Sequence, residues 1–134
     1  MAIMKSRSKL ILLVDDEPDH VDLFKDILES RNYDVNGFTN PLEALEHYKT
    51  NCDQYVLVIA DIRMSVMTGF DLLKNIKKID TTISCFLMSA YDTIEFSELE
   101  DIKIDGFIKK PIILKELLST IEKYLIKYPT IIKL

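Results

Sequence analysis

Four places in the sequence carry groups whose chemistry could combine. The carboxylates Asp15 and Asp16, with Glu17 beside them, follow the apolar run LILLV. Asp61 ends YVLVIAD, whose first six residues form the most apolar stretch of the chain. Ser89 lies in FLMSA, and Lys109 and Lys110 precede Pro111 in IKKP. Each apolar run reads as a buried strand, with the polar group at its end.

Carboxylates gathered at the ends of buried strands repel one another and resist losing water. A hard divalent cation relieves both difficulties, and Mg2+ takes oxygen ligands octahedrally while keeping several waters. Asp15, Asp16 and Asp61 supply such oxygens without filling the shell. The plainer reading of Asp15 and Asp16 is that they cap the next helix. An aspartate ending a second central strand turns the balance toward a metal site. Lys110 is favoured over Lys109 to reach an anion held beside the cation. Pro111 restricts it to extended or turn geometry, a cis bond included, whereas a solvated role is the default for Lys109. The Ser89 hydroxyl could donate to a phosphoryl oxygen, although a lone serine there is ordinarily a turn residue. Carboxylates, a cation, a hydroxyl and an ammonium together suit phosphoryl transfer to a carboxylate nucleophile.

The elements that must position these groups alternate. The strands KLILLV, YDVNGF, YVLVIA, ISCFLMSA and IDGFIK are separated by helical patterns. DEPDHVDLFKDILESR opens near Pro18 and sets Val21, Phe24, Ile27 and Leu28 on one face. NPLEALEHYKTN opens on an Asn40 cap and Pro41, with Leu42, Leu45 and Tyr48 at helical spacing. GFDLLKNIKKI turns Phe70, Leu73 and Ile76 inward. DTIEFSELEDI is shorter, acidic and weakly periodic. ILKELLSTIEKYLIKY carries Leu114, Leu117, Leu118, Ile121 and Leu125 on one side. Such alternation implies right-handed crossovers and a parallel sheet covered on both faces. The expected fold is therefore α/β, a doubly wound five-stranded parallel sheet with helices on both faces, flavodoxin-like, strand order 2-1-3-4-5. Its reactive crevice lies at the carboxyl ends of the strands.

The 134 residues, 48% hydrophobic and 29% charged, suit one soluble globular domain. A net charge of -5 argues against a general nucleic-acid binder. No apolar run reaches the roughly 20 residues needed to cross a bilayer. The basic start MAIMKSRSK is followed by too short an apolar run for a signal peptide, so a cytoplasmic location is expected. Cys52 and Cys85 lack metal-like spacing, and Cys85 reads as a buried thiol. His20 and His47 look isolated, and neither is assigned a role.

With these residues placed, the chain resembles the receiver domain of two-component response regulators over roughly Ser8 to Tyr128. LLVDDEPD, VLVIADIRMSVMTG, FLMSA and IKKP carry the resemblance, in that order. It implies that Asp61 accepts a phosphoryl group from a histidine of a sensor kinase or a histidine phosphotransfer protein. It implies that Asp15, Asp16 and Asp61 bind Mg2+ with the main-chain carbonyl of Arg63. Ser89 would be the switch hydroxyl, and Lys110 would pair with the phosphate. Phe107 matches the aromatic that swings inward when the hydroxyl moves, with plain core packing as the equal alternative. Arg63 and Tyr91 fall where side chains flank the phosphoryl group, and their bulk implies slow hydrolysis. Ser65 replaces the proline the family often has after DIRM, which removes a constraint on that loop. Gly69 keeps the glycine that permits the turn into the next helix. The acidic stretch after Tyr91 reads as a solvated face or as part of the family's output surface.

The implied function is a signalling switch that catalyses its own phosphorylation and dephosphorylation rather than a turnover enzyme. Its partners would be the histidine donor and a downstream protein. No direct nucleic-acid contact or membrane insertion is expected, and a phosphorylation-dependent dimer is one form it could take. The competing readings are an unphosphorylated interaction module on the same fold and a Mg2+-dependent phosphohydrolase with an aspartyl nucleophile. One such hydrolase superfamily has D-x-D after its first strand, whereas the pair here is adjacent. A flavin or nucleotide binder would want a glycine-bearing phosphate loop where this chain has acids. Residues 8–128 are expected to form the receiver domain and 129–134 a tail, with no output domain.

Overall fold

The computed structural model describes residues 10–90 and 103–127, with side chains through Tyr124. Tyr91, the acidic helix expected over 92–102, the side chain of Leu125 and the tail 129–134 lie outside the described residues. The elements run β1 (Leu10–Val14), α1 (Pro18–Glu29), β2 (Asp34–Phe38), α2 (Pro41–Asn51), a 3-10 turn (Cys52–Gln54), β3 (Tyr55–Asp61), α3 (Gly69–Ile79), β4 (Ser84–Ser89), β5 (Gly106–Lys109) and α4 (Leu114–Lys127).

The five strands form one sheet in the order β2-β1-β3-β4-β5, every neighbouring pair parallel. β3 is buried along its whole length, which explains a run without polar alternation. Alternate residues feed two cores. Leu12, Val14, Val58, Ala60, Cys85 and Leu87 pack with α2 and α3 on one face. Ile11, Leu13, Leu57, Ile59, Phe86 and Met88 pack with α1 and α4 on the other. The doubly wound arrangement expected from the sequence is the arrangement found.

Helix starts follow their caps. Pro18 and Pro41 open α1 and α2, and the Asn40 side chain accepts the Leu42 N–H at 2.9 Å. The Thr68 hydroxyl accepts the Asp71 N–H and starts α3. Two apolar faces differ from the sequence reading. In α2 the buried stripe is Pro41, Ala44, Leu45 and Tyr48. Leu42 stands about 100° round the helix from Pro41 and is 46% exposed. In α4, Leu117, Leu118 and Ile121 are buried, but Leu114 in the first turn is exposed beside a groove bounded by Arg31 and Lys123. Cys85 is a free thiol buried in the core, and burial pushes its pKa up to about 12. Among the described residues no helix is long and apolar enough to cross a membrane.

Strand register aligns the reactive edge. Val14 pairs with Ala60, Asp61 with Met88, and Ser89 with Lys109. The residues at or just beyond these pairs are Asp15, Asp61, Ser89 and Lys110. Main-chain bonds extend the ladder there, from Asp15 N–H to Phe38 O, Ile62 N–H to Met88 O and Lys110 N–H to Ser89 O.

Candidate functional site

Asp15 is fully buried, and both its oxygens are engaged. Oδ1 accepts the Glu17 N–H at 3.0 Å, and Oδ2 accepts Lys110 Nζ at 2.9 Å. The N-cap of α1 is Glu17, without a side-chain cap bond, so helix capping does not account for Asp15 and Asp16. Asp61 is 8% exposed and takes the same ammonium at 3.0 Å. The Arg63 main-chain N–H also bonds its carboxylate. Lys110 therefore lies between two carboxylates contributed by different strands, while Lys109 is exposed. The Lys110–Pro111 peptide is cis.

Burial raises the Asp61 pKa above the usual carboxylate value. The Lys110 hydrogen bond and charge oppose that rise, the Asp15 charge adds to it, and the Arg63 N–H opposes it. Lys110 also has a raised pKa: burial works against its charge, but hydrogen bonds and charge from Asp15 and Asp61 outweigh it. The two directions are compatible because the lysine has two carboxylates and Asp61 has only a share of one ammonium.

Asp15, Asp16 and Asp61 bring carboxylate oxygens within 4.8 Å of one another. Three ionised carboxylates against one ammonium leave two negative charges, which one divalent cation neutralises. An all-oxygen donor set of this kind suits Mg2+. Asp16 is tied across the pocket mouth: its Oδ2 accepts the Ser65 N–H at 3.0 Å and lies 3.4 Å from Ser65 Oγ. The loop from Ile62 to Thr68 is pinned at its base, where the Gly69 N–H bonds Ile62 O at 2.9 Å. A Cβ at Gly69 would stand 2.3 Å from the Asp61 carbonyl oxygen, so this approach requires glycine.

The structure thus brings Asp15, Asp16, Asp61 and Lys110 into one cluster. Ser89 is buried at the same edge, its carbonyl accepting the Lys110 N–H at 2.8 Å. Phe107 is elsewhere. On β5 it pairs with Leu87 of β4, is 39% exposed, and borders a small cavity of about 150 Å3 with Ile113, Glu116 and Leu117. Sequence reasoning passed over His20. Its Nδ1 lies 3.2 Å from both Asp15 Oδ2 and Lys110 Nζ, and its Nε2 lies 3.2 Å from Glu17 Oε2. The signal was its place in the first turn of α1, five residues after Asp15, though Lys110 becomes its neighbour only in the fold.

Comparison with known proteins agrees with this geometry. The family model described as "Response regulator receiver domain" matches residues 11–122. The transcriptional regulatory protein ZraR of Escherichia coli is 32% identical over 117 residues, which is 86% of this chain and 26% of that protein. The response regulator SaeR of Staphylococcus epidermidis is 33% identical over 111 residues, 80% of this chain and 46% of that protein. The chain spans between a quarter and a half of these two relatives. A CheY-like receiver domain protein from Methanospirillum hungatei superposes with a TM-score of 0.81 at 28% identity, covering 90% of this chain and 95% of that one. A Borrelia burgdorferi CheY, described as a complex with CheX, BeF3 and magnesium, gives a TM-score of 0.78 at 24% identity, covering 85% of this chain and 87% of that one.

Proposed function

The chain belongs to the response regulator receiver family, and on that premise we propose that it is a phosphorylation-dependent signalling switch whose phosphoacceptor is Asp61. The observation that carries this reading is the shared ammonium. Lys110 touches both Asp15 and Asp61, inside a cluster with Asp16 that is two charges short of neutrality. The phosphoryl donor is a phosphohistidine on a sensor kinase or a phosphotransfer protein.

Asp15, Asp16, Asp61 and the Arg63 carbonyl would hold Mg2+, which would supply charge neutralisation to the phosphoryl oxygens. A carboxylate oxygen of Asp61 attacks phosphorus in line, the bond from phosphorus to the donor imidazole breaks with its electron pair passing to nitrogen, and the imidazole takes a proton from solvent as it leaves. Lys110 then trades a carboxylate partner for a phosphoryl oxygen. Ser89 donates its hydroxyl to another oxygen. These contacts exist only in the modified state, so they bias an equilibrium between two conformations. Phe107, now exposed, is the side chain that follows Ser89 inward. One modification per molecule makes this a switch rather than a turnover enzyme. Residues 8–128 form the switching unit, which works in the cytoplasm and passes its state to a downstream protein, through a phosphorylated dimer or by docking, without itself touching nucleic acid or membrane.

Incubation with acetyl phosphate and Mg2+, read by intact mass, tests the reading. The expected result is gain of one phosphoryl group, absent in Asp61→Asn and absent in chelator. No gain in the wild type would favour an unphosphorylated interaction module, and multiple turnover on varied phosphoesters would favour a hydrolase.

A further inference from the structure

The loop between Asp61 and α3 has an unfavourable backbone. The Met67 N–H bonds the carbonyl of Ser65, two residues back, at 2.9 Å. The residue between them, Val66, has φ 76°. These are the marks of a γ-turn with a positive central φ, a rare and strained turn. A β-branched residue is poorly suited to that conformation, and Val66 is 76% exposed, so core packing does not compensate. Strain of this kind persists where neighbouring bonds over-determine it. The loop base is held by Gly69 N–H to Ile62 O and by Ile62 N–H to Met88 O. The tip is held by Ser65 N–H to Asp16, a bond between residues 49 apart in the chain.

We propose that Ser65 is a positioning residue for the cation site, its main-chain N–H fixing one oxygen of Asp16 so that the other is presented to the metal. This rests on reading Asp15, Asp16 and Asp61 as the Mg2+ site. Asp16 is the least buried of the three, and an acid in a loop must be ordered before it can serve as a ligand. A proline at position 65 has no N–H to give. The serine therefore supplies a donor that a proline-bearing loop lacks. The hydroxyl is secondary, because its 3.4 Å contact is at the limit of a hydrogen bond.

The test is calorimetric titration of the whole 134-residue chain with magnesium chloride. Ser65→Pro is expected to weaken Mg2+ binding about fivefold, equivalent to about 1 kcal/mol. Ser65→Ala keeps the N–H and is expected to stay within about twofold of wild type. A second measurement needs no folded Ser65→Pro protein. In metal-free wild type the Ser65 amide is expected to exchange about tenfold more slowly than an unstructured amide, and to lose that protection in Asp16→Ala. The proposal is overturned if Ser65→Pro binds Mg2+ like wild type, if Ser65→Ala loses as much as Ser65→Pro, or if the Ser65 amide is unprotected or indifferent to Asp16→Ala. Absence of Mg2+ binding to wild type would overturn the metal-site reading and this inference together. Normal wild-type binding with an unaffected Ser65→Pro would overturn the inference alone.

Discussion

Replacing Asp61 by Asn should stabilise the metal-free protein. The asparagine side chain fills the same volume, and its carbonyl can still accept from Lys110 or the Arg63 N–H. Lys110 keeps its 2.9 Å bond to Asp15. The loss is the difference between a charge-assisted and a neutral hydrogen bond, about 1 kcal/mol. The gain is removal of a charge from a site 8% exposed, beside a fully buried Asp15. The raised pKa of Asp61 fixes the sign: the fold disfavours its ionised form, burial being the largest cause. The net gain should be about 1 kcal/mol, the usual scale for relieving a strained functional site. For a chain of this size that is a rise of about 3–5 °C in Tm. The pH dependence has a definite direction. Because its pKa is raised, the folded state binds the Asp61 proton more tightly than the unfolded chain does. Wild-type stability therefore falls as pH rises from the ordinary carboxylate value through the raised one, and Asp61→Asn lacks that component. The advantage of the variant should grow across this interval and level off above it. Mg2+ should work the other way. Wild type gains about 2.7 kcal/mol at a hundred times Kd, whereas the variant has lost a charged ligand and gains less. Thermal unfolding at neutral pH, in EDTA and in saturating magnesium chloride, measures both effects. A lower Tm for Asp61→Asn in EDTA, or a difference between the proteins that Mg2+ leaves unchanged, would refute the charge argument.

The remaining expectations concern residues around the pocket and in the core. Gly69→Ala should cost about 2 kcal/mol or more in denaturant unfolding, because its Cβ meets the Asp61 carbonyl oxygen at 2.3 Å and backbone must move. Val66→Gly should stabilise the fold by about 0.5–1 kcal/mol, since relief of the positive φ exceeds the added entropy of the unfolded chain. An unchanged or lower denaturation midpoint would count against strain at this turn. Tyr48→Phe should be neutral or stabilising by about 1 kcal/mol, since the Tyr48 hydroxyl is buried without a hydrogen-bond partner among the described residues. A clear loss of stability would reveal a partner. Arg63→Ala should shorten the lifetime of the phosphorylated protein, followed by intact mass after donor removal. A lifetime equal to wild type would show that the Arg63 side chain does not screen the attacking water.

The fold was legible because β1, β3 and β4 are short apolar runs and because α1 and α2 open on a proline, α2 behind an asparagine cap. The reactive edge was legible for the same reason. In a parallel sheet, strand ends share one edge, so Asp15, Asp61, Ser89 and Lys110 could be collected without knowing any distance. The failures have different causes. Leu42 shows that a spacing pattern does not fix the phase of a helix: Pro41 and Ala44 were too small or too polar in habit to be counted, yet they set the buried face. His20 was dismissed as isolated although Asp15 and Glu17 stand five and three residues before it, because only the fold turns their carboxylates and Lys110 toward its ring. Its neighbours Asp15 and Lys110 arrive from β1 and from the end of β5.

Ser65 is a different kind of case, because what matters there is a main-chain group. The sequence shows where a proline is missing, and from that only a loss of constraint could be expected. Removing proline also adds an N–H, and a donor within reach of an acidic cluster will find a carboxylate. The bond to Asp16 replaces a covalent restriction on one loop with a non-covalent restraint between two. A ring fixes φ in every state of the protein, whereas a hydrogen bond to a metal-ligating carboxylate changes strength when that carboxylate changes its charge environment. The loop after Asp61 is therefore tied to Asp16 in a way that proline would not allow, across a turn that carries the positive φ of Val66.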